Sequence, residues 1–226
     1  MKSYGQFCPV AKAMEVIGER WTMLIIRELI GGSLSFNNIR NGVPLMSPSL
    51  LSARLKMLER AGIIDRRKTG DGILYSLTEA GRELKPIIMQ MGMWGQRWAR
   101  SDMSKGDLDP RILMWDIQRR IDTSLLPDKR VVLLFEFTNY TSKLRRWWLV
   151  IKDRTADICL KDPGYEVDLQ LISDLRTMSQ IWMGDLSLNK AKQQQQLKFT
   201  GNTALKRSIS KWFTLNAFAA VKSANT

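Results

Sequence analysis

The stretch "SPSLLSARLKMLERAGIIDRR", residues 47–67, decides the reading of the fold. Ser47 is placed to cap a helix, with Pro48 at the first helical position, where a missing N–H costs nothing. Met46 before the cap and Leu51 at the fourth helical position have the spacing of a hydrophobic staple. At about 100° per residue, Leu51, Leu55 and Leu58 fall on one stripe of this helix. Ser49, Ser52, Ala53, Lys56 and Arg60 fall on the opposite stripe, which carries hydroxyls, a methyl and cations but no acid. A face that narrow and that positive can enter a groove and meet phosphates.

Upstream, Val10, Met14 and Ile17 repeat at helical spacing. After Gly18, Trp21, Leu24, Ile25 and Leu29 do the same, with Gly31-Gly32 as the stop. Ser35 caps a short helix carrying Phe36 and Ile39, which Gly42 and Pro44 end. The short helix, a tight turn and the capped helix from Ser47 make a helix-turn-helix pattern. Downstream, Gly62 ends the quoted helix, and "IIDRRKTGDGILYSLT" (residues 63–78) reads as strand, turn, strand, with Gly-Asp-Gly in the turn. A hairpin there is a wing, able to lay Arg66, Arg67 and Lys68 along a phosphate backbone. The plainer reading of a basic hairpin is a solvated edge that resists aggregation.

Composition bounds the rest. The 226 residues suffice for two ordinary domains, and a 44% hydrophobic content lets each bury a core. The net charge of +13 favours a polyanionic partner, and it is spread over both halves: 15 Lys and Arg against 9 acids in the first 103 residues, 20 against 13 in the rest. The absence of His removes Ser-His-Asp and Cys-His nucleophile systems and nearly every His-containing metal site. No enzyme, cofactor or metal is expected. Cys8 and Cys159 are too few for a disulfide framework and point to a reducing cytoplasm. No signal peptide is visible and no apolar run reaches the ~18 residues of a membrane helix, so no membrane partner is expected.

With these elements in place, "CPVAKAMEVIGERWTMLIIREL", "SFNNIR", the quoted helix and "YSLTEAGRELKPIIMQMGMWGQRW" resemble the HxlR-type branch of the MarR-like winged-helix regulators, over about residues 5–100. The resemblance implies a dimeric transcriptional regulator of a bacterium or archaeon that binds double-stranded DNA at inverted-repeat operators. It places Ser47, Ser49, Ser52, Ala53 and Lys56 towards the major groove, and Arg40 and the wing cations on phosphates. Arg54 stands where the family keeps an arginine, though its angle on the helix equally fits a structural salt bridge. Ile87, Met91, Trp94 and Trp98 form a stripe at four-three-four spacing on the helix after Pro86, and the resemblance implies that this helix and the N-terminal one build the dimer. Cys8 lies where family members often have a cysteine, which some use as a thiol sensor. An inert packed residue is the preferred reading of it, with Lys12 one turn on able to lower its pKa slightly.

"SDMSKGDLDP", residues 101–110, is polar with Gly and Pro and is taken as the boundary. The expected domains are residues 1–103 and 104–226. Ile112, Trp115, Ile117 and Ile121 follow on a helix, and the pattern then switches to period two: Val131, Leu133, Phe135 and Phe137; Trp147, Leu149 and Ile151; Val167, Leu169 and Leu171. That predicts an antiparallel sheet with at least one apolar face. Ser173 caps a helix with Leu175, Met178, Ile181 and Trp182, Ser187 caps another, "LKFTGN" gives a last strand, and Leu205, Ile209, Trp212 and Phe213 lie on a closing helix. The expected class is α+β: a winged helix-turn-helix domain followed by an antiparallel sheet covered by helices.

Asp168, Asp174, Gly184, Ala191, Leu197 and Gly201 make the second half similar to the sterol carrier protein type two fold, over about residues 110–216. That family encloses an apolar tunnel between sheet and helices. Trp115, Phe135, Trp147, Trp182, Ala191, Trp212 and Phe213 are the residues that could line one; a filled core is the equal alternative. The leading expectation is therefore a cytoplasmic, homodimeric DNA-binding regulator modulated by an apolar small-molecule or lipid effector. The alternatives are a redox-responsive regulator acting through Cys8, with a structural second domain, and a lipid-binding carrier protein.

Overall fold

The computed structural model describes residues 3–99, 103–140 and 143–224. Residues 101 and 102, at the start of the expected boundary stretch, lie outside the described residues. The chain divides into two compact units, one ending at Trp94 and the other beginning at Gly95.

The first unit runs α1 (Pro9–Ile17), α2 (Thr22–Ile30), α3 (Phe36–Gly42), α4 (Pro48–Arg60), β1 (Ile64–Thr69), β2 (Gly72–Leu77) and α5 (Glu79–Trp94). Its core joins Ile25, Ile26 and Leu29 of α2 to Ile39, to Leu51, Leu55 and Leu58 of α4, and to Ile64 and Tyr75 of the hairpin. Met46 and Leu51 are both buried in it, as a staple requires. β1 and β2 pair antiparallel from Ile64↔Leu77 to Thr69↔Gly72, which leaves Gly70 and Asp71 as the turn. The second edge of β2 is met by a bridge from Ser35 to Leu74.

Gly42 is the last residue of α3, as expected, with Val43 as the cap residue. Gly42 is glycine because a Cβ there would overlap the Glu28 carboxylate. The stripe helix, expected after Pro86, begins instead at Glu79, well before that proline, which sits inside it. Thr78 makes that start: its hydroxyl accepts from the Gly81 N–H at 3.1 Å and donates to the Gly62 carbonyl at 2.6 Å. That start offsets the hydrogen bond that proline removes from the helix interior.

The second unit holds α6 (Pro110–Arg120), β3 (Val131–Phe137), β4 (Arg146–Lys152), β5 (Thr155–Cys159), β6 (Leu169–Ser173), α7 (Leu175–Met183), α8 (Leu188–Gln193), β7 (Leu197–Gly201) and α9 (Thr203–Trp212). The five strands form one sheet in the order β5-β4-β3-β6-β7. Val131, Leu133, Phe135 and Phe137 pack with Trp147, Leu149, Ile151, Leu169 and Leu171 against the helices. The class is α+β, as expected.

The sheet is mixed, however, and not antiparallel throughout, because β3 and β6 run parallel. β5 ends on one side of the sheet and β6 lies beyond β3, so residues 160–168 must run back and cross over two strands. Val167 of that crossover packs on Val132, Leu134 and Trp148, on the face opposite the main core. This explains why all seven residues of β3 are buried where strict alternation predicts only one face. The crossover is pinned by Asp168, whose carboxylate and N–H meet the Val132 N–H and carbonyl, each at 2.9 Å.

Two smaller corrections concern helices. The cap of α7 is Asp174, which accepts from the Thr177 N–H at 2.9 Å, while Ser173 is the buried last residue of β6. The buried face of α6 is Leu113, Met114 and Ile117; Ile112 is exposed and Trp115 half-buried.

Candidate nucleic-acid interface

The candidate recognition element is α4, the second helix of the helix-turn-helix. The Ser47 hydroxyl accepts from the Leu50 N–H at 3.3 Å and lies 3.1 Å from the Ser49 hydroxyl, which orders the first turn. With Leu51, Leu55 and Leu58 buried, the opposite stripe faces outward: Ser47, Ser49, Ala53 and Lys56 are exposed and Ser52 is half-buried. Arg40, in the last turn of α3, is exposed as well.

Arg54 does not belong to this face. Its guanidinium pairs with Glu19 at 2.7 Å, and its Nε donates to the Arg20 carbonyl at 3.4 Å. The structural salt bridge is therefore the observed role, and it ties α4 to the turn before α2. That turn holds Trp21 at φ 77°, a left-handed conformation that a side chain this large adopts only when its surroundings impose it.

The wing cations Arg66, Arg67 and Lys68 are all exposed, but they divide. Arg66 stands opposite Tyr75 and Lys68 opposite Ile73, whereas Arg67 stands opposite Leu74. Because side chains alternate along a strand, Arg66 and Lys68 share the face of the buried Tyr75, and Arg67 lies on the other.

One group escaped the sequence reading. Glu28 is completely buried, paired with Arg27 at 2.8 Å and facing Gly42 without a Cβ between them; Arg27 also donates to the Gly42 carbonyl at 3.2 Å. The three residues lock α2 to α3 and so set the platform from which α4 projects. The signal for it was position: Glu28 falls three residues after Ile25 and one before Leu29, inside the buried stripe.

Ile87, Met91 and Trp94 on α5 are exposed, as is Trp98 in the π-helical turn Gly95–Ala99. Among the described residues α1 buries none of its own, and Val10 and Met14 are exposed. Cys8 is half-exposed at the N-terminus of α1 and outside the core. The backbone N–H groups of Ala11 and, to a lesser degree, Val10 hold its thiol below the ordinary value. Lys12, expected to exert that pull, is paired with Glu15 at 3.1 Å.

In the second unit Phe135, Trp147, Trp182, Ala191, Trp212 and Phe213 are all buried in the main core. Phe213 is its centre, with ring centroids 5.5 Å from Trp182, 6.2 Å from Trp212 and 6.4 Å from Phe135. Trp115 is half-buried, with the Arg119 guanidinium 5.2 Å over its ring. Among the described residues no helix is long and apolar enough to cross a membrane.

Comparison with known proteins bears on both units. The HxlR-like helix-turn-helix family matches residues 16–103, and the SCP-2 sterol transfer family matches residues 130–214. The uncharacterized HTH-type transcriptional regulator YdeP of Bacillus subtilis is 36% identical over 94 residues, which make up 40% of this chain and 73% of YdeP. The uncharacterized HTH-type transcriptional regulator YvaP of the same organism is 37% identical over 97 residues, 41% of this chain and 90% of YvaP. Among solved structures, the redox regulator HypR in its oxidised form is 35% identical, with 42% of this chain and all of that one covered, at a TM-score of 0.39. The second half is similar to the SCP-2 sterol transfer family over residues 130–214, and the chain belongs to the HxlR-like helix-turn-helix family of transcriptional regulators.

Proposed function

We propose that the protein is a homodimeric, sequence-specific operator-binding regulator that reads an inverted repeat through two copies of α4. The observation that carries this reading is the division of α4 into a buried leucine stripe and an outward stripe of hydroxyls, a methyl and Lys56. Ser47, Ser49, Ser52, Ala53 and Lys56 contact base edges and adjacent phosphates in the major groove. Arg40 and the two wing cations on the Tyr75 face, Arg66 and Lys68, contact phosphate and position the helix. The dimer is supported by the exposed apolar residues of α1 and α5. Footprinting tests the proposal. Protection of two inverted half-sites about 34 Å apart, or a multiple, is the expected result, with Lys56→Ala relaxing sequence preference; protection of one unrepeated half-site overturns it.

The finer proposal for the second domain, an apolar effector, draws its support from the SCP-2 family match. Such a ligand, lying between sheet and helices, has to part the rings packed around Phe213. Native mass spectrometry of the full chain is expected to show one lipid-sized mass per chain. Its absence leaves the domain a structural platform.

A second reading is favoured by one observation. The Cys8 thiol is half-exposed and lowered by backbone N–H groups, which are features of a reactive cysteine and not of an inert packed one. On this reading mild oxidant releases the operator from the wild type and not from Cys8→Ser; equal release from both rules it out.

A further inference from the structure

The sequence Arg145-Arg146-Trp147-Trp148 is split by the pleat of β4. Trp147 turns into the main core, while Trp148 lies on the opposite face of the sheet with Val132 and Leu134. On that face Glu136 is buried with its carboxylate fully engaged. Its Oε1 accepts from Arg145 Nε at 3.0 Å and Nη2 at 2.7 Å, and its Oε2 accepts from Arg146 Nε at 3.3 Å and Gln170 Nε2 at 2.9 Å. Burial pushes the Glu136 carboxyl up, and the hydrogen bonds and charges of Arg145 and Arg146 more than offset it, so the group stays ionised below its ordinary value. One carboxylate thus fixes two guanidinium groups in place, and Arg146 keeps both Nη groups without a partner among the described residues.

Beside them lies an open surface pocket of about 430 Å³ lined by Lys143, Arg145, Arg146, Trp148 and Leu160. That volume is within the roughly 300–1,000 Å³ of small-molecule sites. Three cations against one carboxylate leave a net positive wall, and the two remaining lining side chains, an indole and a leucine, are apolar. We infer that this pocket binds a small aryl carboxylate, whose ring lies against Trp148 and Leu160 and whose carboxylate takes the free donors of Arg146 with Lys143 beside it. Guanidinium forks match carboxylates in a plane, and an immobilised fork loses little freedom on binding. A duplex, by contrast, offers a row of phosphates and no apolar group to fill a pocket of this kind. The site lies on the face of the sheet opposite the packed aromatic layer, so it is independent of the apolar effector proposed above.

The test is calorimetric titration of the full chain with 2-naphthoate, with 2-naphthylmethanol, inorganic phosphate and a short duplex of unrelated sequence as comparisons. The expected result is saturable binding of 2-naphthoate, one per chain and at least tenfold tighter than either small comparison compound. Arg146→Gln is expected to weaken it at least tenfold. Leu160→Glu, at an exposed position, is expected to abolish it and to keep the wild-type melting temperature, whereas Arg146→Gln, which also removes one partner of the buried Glu136, is expected to lower that temperature slightly with folding retained. Equal binding of phosphate would reduce the site to its cations, and equal binding of 2-naphthylmethanol to its apolar wall; either result overturns the inference. So does the absence of any binding, or a loss of duplex affinity in Arg146→Gln with 2-naphthoate binding unchanged, which assigns the face to nucleic acid.

Discussion

Gly42 holds the helix-turn-helix together by lacking a methyl group. The Glu28 carboxylate occupies the space a Cβ would need, and it stays there because Arg27 bridges it to the Gly42 carbonyl. A buried charge stays buried only with such a partner. Gly42→Ala is therefore expected to cost about 1–3 kcal/mol by overpacking, and more if the displaced carboxylate loses Arg27. Urea unfolding of the first unit would measure it, and operator affinity is expected to fall with stability because α3 and α4 share this platform. A variant as stable as the wild type would show that the carboxylate has another place to go. Single residues of the second unit carry comparable loads. Gly201, at φ 115°, leaves no room for a Cβ beside the Asp168 carbonyl, and Gly184, at φ 83°, ends α7 in the left-handed conformation that glycine supplies. Asp168 pins the crossover and Asp174 caps α7. The residues that gave the second half its family resemblance are thus scaffold residues, and they identify a fold more readily than a ligand.

At the scale of elements, the hairpin distributes its charge by pleat. Arg66 and Lys68 project from the face that carries Ile64 and Tyr75, which pack with Leu55 and Leu58 of α4, so these two cations lie on the side of the sheet turned towards the recognition helix. Arg67 lies on the other side. Every phosphate that a side chain neutralises adds about one unit to the slope of log affinity against log salt. Arg66→Ala with Lys68→Ala is expected to lower that slope by about two, and Arg67→Ala to leave it unchanged. A lower slope in Arg67→Ala would mean that the hairpin enters the DNA edge-on, with cations of both faces engaged. This division was legible in the sequence only in part. Local chemistry announced the elements: Ser47 and Ser187 cap where expected, and Gly-Asp-Gly makes the turn. Pairing between distant strands did not announce itself, because nothing in residues 160–168 says that the chain doubles back before β6, and so the parallel β3–β6 pair went unseen. The same limit hid the depth of Trp148 and Glu136: Val167 of the crossover packs with Trp148, and Arg145, Arg146 and Gln170 engage the Glu136 carboxylate.

For the molecule as a whole, the decisive feature is that α1 is a helix with no core of its own. It has nine residues, none of them buried, and helices shorter than about 12–15 residues are marginal in water unless tertiary packing holds them. Val10 is 71% exposed and Met14 42%, while α5 exposes Met91 at 53% and Trp94 at 62%. Apolar exposure repeated on two helices of one small unit is the signature of an association surface, and a two-fold interface lets one such set cover its own copy. An inverted-repeat operator demands the same symmetry, because two recognition helices held at a fixed separation are what turn two weak half-sites into one tight site. Met91→Glu with Trp94→Glu places four carboxylates in such an interface without touching the buried stripe of α4. Light scattering is expected to show a monomer. Affinity for the intact inverted repeat is expected to fall at least a hundredfold, with weak binding to a single half-site kept, since each α4 remains as it was. A double variant that is still a dimer would mean that the two helices meet through another face, and a monomer that still binds the whole repeat tightly would mean that the DNA, not the protein, brings the two copies together.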